Sequence, residues 1–366
     1  MRVLYFGTYE RDYPRNAQVI SCLRRAGVHV DERHEGIWEG RRHKLSLGAR
    51  GVGRLALAEA RLAVSSAADA DALIVGYPGH ADVLSAKRVA RGRPIVFNPL
   101  VSLEDTMIGD RALVSPRSAT AKALRLVDRI AFGRSDLVVA DTAAQAGYFA
   151  DAFGLPPERV GVCFVGAEDR LFRPGPRSAG EFTVLFVGKL IPLHGIETIL
   201  AAAALCPDIE FHVVGSGQLD DVLMTKPENV RHERWAEYER LPDLYRSAGC
   251  ALGIFSGSAK AARVIPNKAF QALATQTPLI TADTPAAREL LEDGRDALLV
   301  PPADPEALAL AVRRLASHPV LGADIAARGH ATYAENASED VLGRRWRELI
   351  EQLVSDHRTG TRATAR

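Results

Sequence analysis

The stretch FTVLFVGKLIPLHGIETIL, residues 182–200, sets a β-branched and aromatic run, Phe182–Val187, ahead of a helix from about Gly195 to Leu205. A short apolar run that ends in glycine and leads into a segment of helical spacing reads as one strand–loop–helix unit. The unit recurs outward from there. Ile209–Val214, Ala251–Phe255, Leu279–Thr281 and Ala297–Val300 are further apolar runs. Asp304-Pro305 is an N-cap followed by proline at the first helical position, which predicts a helix from Asp304 to about Ser317. The front half has the same rhythm. Arg2–Gly7, Ala72–Gly76, Pro94–Asn98, Leu137–Ala140 and Val160–Val165 read as strands, and Arg15–Ala26 is the first helix. Alternation of this kind implies parallel sheets covered on both faces.

With 366 residues the chain exceeds what one hydrophobic core organises, so about two domains are expected. The run RPGPRSAGE after Phe172, dense in Pro, Gly and Ser, is the linker candidate. The expected division is a domain over 1–172, joined by a final helix over about 338–356, a second domain over 181–337, and a disordered tail over 357–366. The balance of 46 Lys+Arg against 45 Asp+Glu, a formal +1, argues against a nucleic-acid partner. No run approaches the roughly 20 apolar residues of a membrane span, and the expected location is the cytoplasm. Peripheral membrane contact and a monomeric or homodimeric state both stay open. The four cysteines are far apart and read as reduced core residues, with no metal-ligand spacing. Asp69-Ala70-Asp71 precedes its strand instead of following it, so it reads as surface and not as a metal site.

In open parallel sheets ligands bind beyond the carboxyl ends of the strands. Three such loops in the rear half are unusual. Gly188-Lys189 is followed by His194-Gly195 at a helix start, Gly215-Ser216-Gly217 offers backbone without side chains, and Pro266-Asn267-Lys268 opens the helical run AFQALA. Fixed cations, glycine backbone and helix-start amides at one rim describe a diphosphate site. Either lysine alone reads more often as a solvated charge, and the Gly-x-Gly alone more often as a tight turn; their joint placement decides. In the front half, Gly7 and Tyr9 follow the first strand, and Gly79-His80 follow the strand that ends at Gly76. These are the acceptor-side candidates, with His80 nearest the reaction.

The rear half resembles family 4 of the glycosyltransferases in VLFVGKLIPLHGIETIL, FHVVGSGQL, VIPNKAFQALATQTPLITADTPAARELL and DGRDALLVPPADPEAL, in that order. The front half resembles it more loosely, through Asp128–Val139 and PPERVGVCFVGAEDRLFRP. The resemblance implies a GT-B fold, two doubly wound Rossmann-like α/β domains facing across a cleft, with the last helix packed back on the N-terminal domain. It implies a nucleotide-sugar donor in the C-terminal domain, an acceptor in the N-terminal one, retention of anomeric configuration, and no metal or other cofactor. Lys189, Lys268 and His80 become the catalytic candidates; Gly188, His194, Gly215, Gly217, Arg263, Pro266, Asn267 and Gln271 become the donor-binding set. His194 stands where the family commonly has lysine, which predicts added pH dependence between about 5 and 8. Gln271 stands where a glutamate usually holds the ribose, and Arg263 near where another usually meets the donor sugar; Lys260, Arg263 or a backbone group would have to replace the latter. The nucleotide, the sugar and the acceptor are not named by these residues. A small-molecule, lipid-linked or glycan acceptor of a bacterial pathway fits. A dinucleotide oxidoreductase and an inactive nucleotide-sugar-binding scaffold are the alternatives.

Overall fold

The computed structural model describes residues 1–39, 49–67, 69–176 and 180–364. It divides the chain into two compact units, a front one of Met1–Phe164 with Glu339–Arg366 and a rear one of Val165–Ser338. Each is an α/β unit on a parallel six-stranded sheet.

In chain order the front unit runs β1 Arg2–Gly7, α1 Pro14–Arg25, β2 His29–His34, α2 Ala49–Ala63, β3 Ala72–Val75, α3 Asp82–Ala90 and β4 Ile95–Phe97. It continues through a wide-turned helix at Asp105–Asp110 to α4 Ala119–Arg134, β5 Leu137–Ala140, α5 Ala143–Phe153 and β6 Val160–Val162. Its strands lie in the order β2-β1-β3-β4-β5-β6. Successive side chains along a strand point to opposite faces, so each strand feeds two cores. Val3 and Tyr5 pack on one face with Val19, Leu23, Trp346 and Ile350. Leu4 and Phe6 pack on the other with Val83, Val89, Phe132 and Phe149.

The rear unit runs β7 Thr183–Val187, α6 Ile196–Ala204, β8 Glu210–Val214, β9 Val230–Glu233, α7 Leu241–Ser247, β10 Cys250–Leu252, α8 Asn267–Ala274, β11 Leu279–Ala282, β12 Leu298–Val300, α9 Pro305–Ser317 and α10 Pro319–Asn336. The strand order β12-β11-β10-β7-β8-β9 reverses direction between β7 and β10, and in the front unit the reversal falls between β1 and β3. At such switch points neighbouring loops diverge to opposite faces and leave a crevice at the carboxyl edge. The Asp304 side chain accepts from Ala307 N at 2.9 Å, as its N-cap position predicts.

The last helix, α11 Glu339–Thr364, belongs to the front unit. Leu342, Trp346, Ile350 and Val354 join the α1 side of the core, and Arg25 pairs with Asp340 at 2.8 Å. Three expectations need correcting. The break between units falls after Phe164, not Phe172, because Phe172 is buried in the rear unit. Its ring lies 5.5 Å from that of Tyr238 and 6.1 Å from that of Tyr245. Tyr333 further ties this segment down through Ala167 O and Asp169. The expected tail is helical from 357 to 364, with Arg358 on Asp71 at 2.9 Å. Residues 177–179 of the linker candidate and 365–366 of the tail lie outside the described residues. Two strands were missed, β2 (HVDERH) and β9 (VRHE), both at sheet edges. All four cysteines are free and buried, as expected.

Candidate functional site

The loops after β7 and β8 close on each other at the rear unit's carboxyl edge. Val187 and Val214 are register partners, and Gly188 N donates to Val214 O at 2.9 Å. Past that point the two chains run too close for side chains. A Cβ on Gly215 would lie 2.0 Å from Gly188 O, and Gly188 itself has φ +156. Leu190 and Gly217 form an isolated parallel bridge beyond them. Gly217 N is held by Asp220, whose other oxygen pairs with Arg234 at 2.6 Å.

Lys268 reaches Gly188 of this pair. It is the second residue of α8, whose start at Pro266-Asn267 has no side-chain cap. Its side chain is only 6% exposed, its Nζ lies 4.1 Å from the Phe186 ring centroid, and that Nζ makes no hydrogen bond among the described residues. A Cβ on Gly188 would sit 2.7 Å from Lys268 Nζ and 3.3 Å from His194 Cε1, so amine and imidazole meet around one glycine. Burial with nothing to offset it holds the amine well below the usual lysine range. The ring face offers about 2 kcal/mol to a desolvated cation, whereas burying an ammonium costs several, so desolvation wins.

His194 closes a short helical turn, Pro192–His194, ahead of α6, whose cap residue Gly195 has φ +67 and no side-chain cap. Its Nδ1 contacts Lys189 O. A carbonyl only accepts, so Nδ1 carries the proton and Nε2 is left as an acceptor unless the ring becomes charged. Lys189 is exposed, and Arg263 is half-buried in the turn before α8. Gln271, one turn beyond Lys268, is 7% exposed, and its Oε1 accepts from Tyr245 at 3.1 Å.

The structure thus brings Gly188, Gly215, Lys268 and His194 together at the switch point, with Gly217, Pro266 and Asn267 on the adjoining turns. Lys260, also in the loop before α8, is buried at 5% exposure. Sequence spacing assigned it no definite role.

The front-unit candidates differ from expectation. Tyr9 is fully buried, with its hydroxyl on Glu32 Oε2 at 2.9 Å and its ring against Tyr5, so it is a core side chain and not an acceptor-facing one. His80 is 3% exposed; its Nε2 lies 3.1 Å from Val101 O and 3.4 Å from Asp128 Oδ1, and its Nδ1 has no partner among the described residues. Burial depresses its pKa, with Asp128 opposing. Asp128 accepts from Ser102 Oγ, Leu103 N and Glu104 N at 2.8, 3.0 and 2.9 Å, so it shapes the loop after β4. Gly7 and Gly79 flank a second buried carboxylate. A Cβ on Gly7 would lie 2.1 Å from Asp82 Oδ2 and one on Gly79 3.3 Å from it. Asp82 accepts from Thr8 N at 2.7 Å and from Thr8 Oγ1 at 3.0 Å. Burial and the neighbouring Glu59 carboxylate raise the Asp82 pKa well above its ordinary range. Sequence reading missed both aspartates. The signal for Asp82 was its place three residues after Gly79 at the switch-point loop.

Two reversing parallel sheets, with the chain's last helix returned to the first unit, define the GT-B fold. HepE of Anabaena, solved in complex with UDP-glucose, has that fold and matches with a TM-score of 0.72 at 18% identity, covering 97% of this chain and 100% of that one. Residues 181–318 match the family model described as Glycosyl transferases group 1. A protein of Catenulispora acidiphila named D-inositol 3-phosphate glycosyltransferase 1 is 27% identical over 321 residues, 77% of this chain and 73% of that one. A Rhodococcus erythropolis protein named D-inositol 3-phosphate glycosyltransferase is 27% identical over 288 residues, 71% of this chain and 62% of its own length, so this chain spans less than two thirds of it. No helix among the described residues is long and apolar enough to cross a membrane, and no group of three or more potential metal ligands occurs among them.

Proposed function

We propose that the protein is a glycosyltransferase that moves a sugar from a nucleotide-diphosphate sugar to an acceptor hydroxyl, with retention of anomeric configuration and without a metal ion. The observation that carries this is the buried Lys268 Nζ, without a hydrogen-bond partner among the described residues, beside the Gly188 backbone at the switch point and at an uncapped helix start. A buried amine without a partner is costly to keep, and an anion at that glycine pair would satisfy it.

In this reading Lys268 and Lys189 hold the leaving diphosphate, His194 and the starts of α6 and α8 supply further donors, and Gln271 takes the ribose hydroxyls. Charge develops on the leaving diphosphate in the transition state, and donors fixed beforehand stabilise it without reorganising. Arg263 or Lys260 stands in for the carboxylate that commonly reads the donor sugar. The front unit receives the acceptor, and there His80 is a positioning residue that holds Val101 and the loop shaped by Asp128. The names of the relatives put a phosphorylated cyclitol first among acceptors to try, and the HepE complex puts UDP-glucose first among donors. The assigned location is the cytoplasm.

The substitution of Gln271 and Arg263 for two glutamates also favours a second reading, a binding scaffold without turnover. Incubating the protein with UDP-, GDP- and dTDP-sugars, with and without candidate acceptors and with EDTA present, separates the two. Thermal stabilisation with acceptor-dependent release of nucleoside diphosphate supports the transferase; stabilisation without release supports the scaffold. No stabilisation by any nucleotide refutes both.

A further inference from the structure

We infer that the donor site takes up a proton when a nucleoside diphosphate binds, and that Lys268 Nζ is the atom that receives it. The inference rests on the donor-site reading above. Among the described residues Lys268 has no carboxylate or carbonyl partner, its stem is buried, and its amine lies against the Phe186 ring and the Gly188 backbone. A neutral amine tolerates that setting, since an N–H can point at a ring face. An ammonium there would be a desolvated charge with no counter-ion. A diphosphate at Gly188 supplies that counter-ion, and the favoured form of the amine then reverses.

His194 faces Lys268 across Gly188, with its Nδ1 committed to Lys189 O. Lys189 stands in the same loop and is exposed. On α8 the next group is the uncharged Gln271, bound to the Tyr245 hydroxyl, which burial keeps protonated. β7 presents the Phe186 ring. His194 is therefore the one rival proton acceptor among them, because a phosphate at its Nε2 also favours the charged ring.

Linkage fixes the sign. A base whose pKa rises on binding makes the complex tighter at low pH, and Kd grows by up to about tenfold per pH unit between the free and bound pKa values. Burial holds the free amine well below 10.5, so the effect sets in below the ordinary lysine range.

The test is isothermal titration calorimetry of the whole protein with UDP, GDP and dTDP near about pH 8.5, in buffers of different ionisation enthalpy. There a terminal phosphate with a second pKa of about 6 is already ionised. The dependence of heat on buffer gives the protons taken up, expected to approach about one per nucleotide. His194→Gln should retain the uptake. Lys268→Arg, permanently charged, should bind with none. Binding with no buffer dependence overturns the inference and leaves the donor site standing, whereas no binding of any of the three nucleotides overturns the donor site itself. Uptake that vanishes in His194→Gln assigns the proton to the histidine and overturns the inference. If Lys268→Arg does not bind, His194→Gln alone decides on the same criterion.

Discussion

Replacing Lys268 by methionine should make the protein more stable and less active at once. Methionine keeps the unbranched stem that runs beneath Gly188 and fills nearly the same volume, a class of change that costs under about 1.5 kcal/mol. It removes a buried amine that has no hydrogen-bond partner among the described residues, and such a group costs about 1–3 kcal/mol. The neutral amine's contact with the Phe186 ring is worth about 0.5–1 kcal/mol in return, and a thioether against an aromatic ring replaces most of it. The balance is about 1–2 kcal/mol in favour of Met, or about 2–4 °C in melting temperature per kcal/mol for a unit of this size. A lysine whose native pKa is depressed binds fewer protons folded than unfolded. Wild-type stability therefore rises with pH from that depressed value up to the ordinary 10.5, and the advantage of Met is largest in acid and shrinks as pH rises. Turnover should fall by about 10²-fold or more, the scale for removing one fixed transition-state donor. Calorimetry at about pH 6 and pH 9, paired with nucleoside diphosphate release, reads all of this. A variant that melts lower at every pH, or that turns over at the wild-type rate, refutes the reasoning.

Gly188→Ala places a methyl group 2.7 Å from Lys268 Nζ at φ +156, so thermal stabilisation by nucleotide should disappear while circular dichroism stays native. Asp82→Asn should be tolerated, because its carbonyl oxygen still accepts from Thr8 N. The raised native pKa of Asp82 makes the wild type lose stability as pH climbs above 3.8, and urea melts from pH 4 to 8 should show that decline flattened in the variant. Asp128→Ala strands Ser102 Oγ, Leu103 N and Glu104 N, and a loss of about 3 kcal/mol or more is expected in denaturant melts. A loss under about 1 kcal/mol would mean that water replaces the carboxylate.

The strands that build both cores were legible because they are buried on both faces and read as unbroken apolar runs, as in Leu137–Ala140 and Thr183–Val187. The edge strands β2 and β9 were not, since HVDERH and VRHE are half-exposed and carry no apolar run. The unit boundary was misplaced by trusting Pro and Gly over Phe172, whose aromatic partners, Tyr238 and Tyr245, are far away in sequence. In the site, spacing placed Gly188, Gly215 and Lys268 at one rim. It could not show that Lys268 lies buried against the Phe186 ring, because NKAFQALA reads equally well with its lysine in solvent. Tyr9 failed for the opposite reason: a loop tyrosine was expected to face a ligand, but Glu32 on the adjacent strand β2 claims its hydroxyl.

A crystal structure with UDP or UDP-glucose bound tests the central claim most directly. The account predicts the β-phosphate against Gly188 N–H or the start of α8, with Lys268 Nζ within about 3 Å of a phosphate oxygen. A nucleotide bound elsewhere, or bound there with Lys268 Nζ still facing only the Phe186 ring, would contradict it.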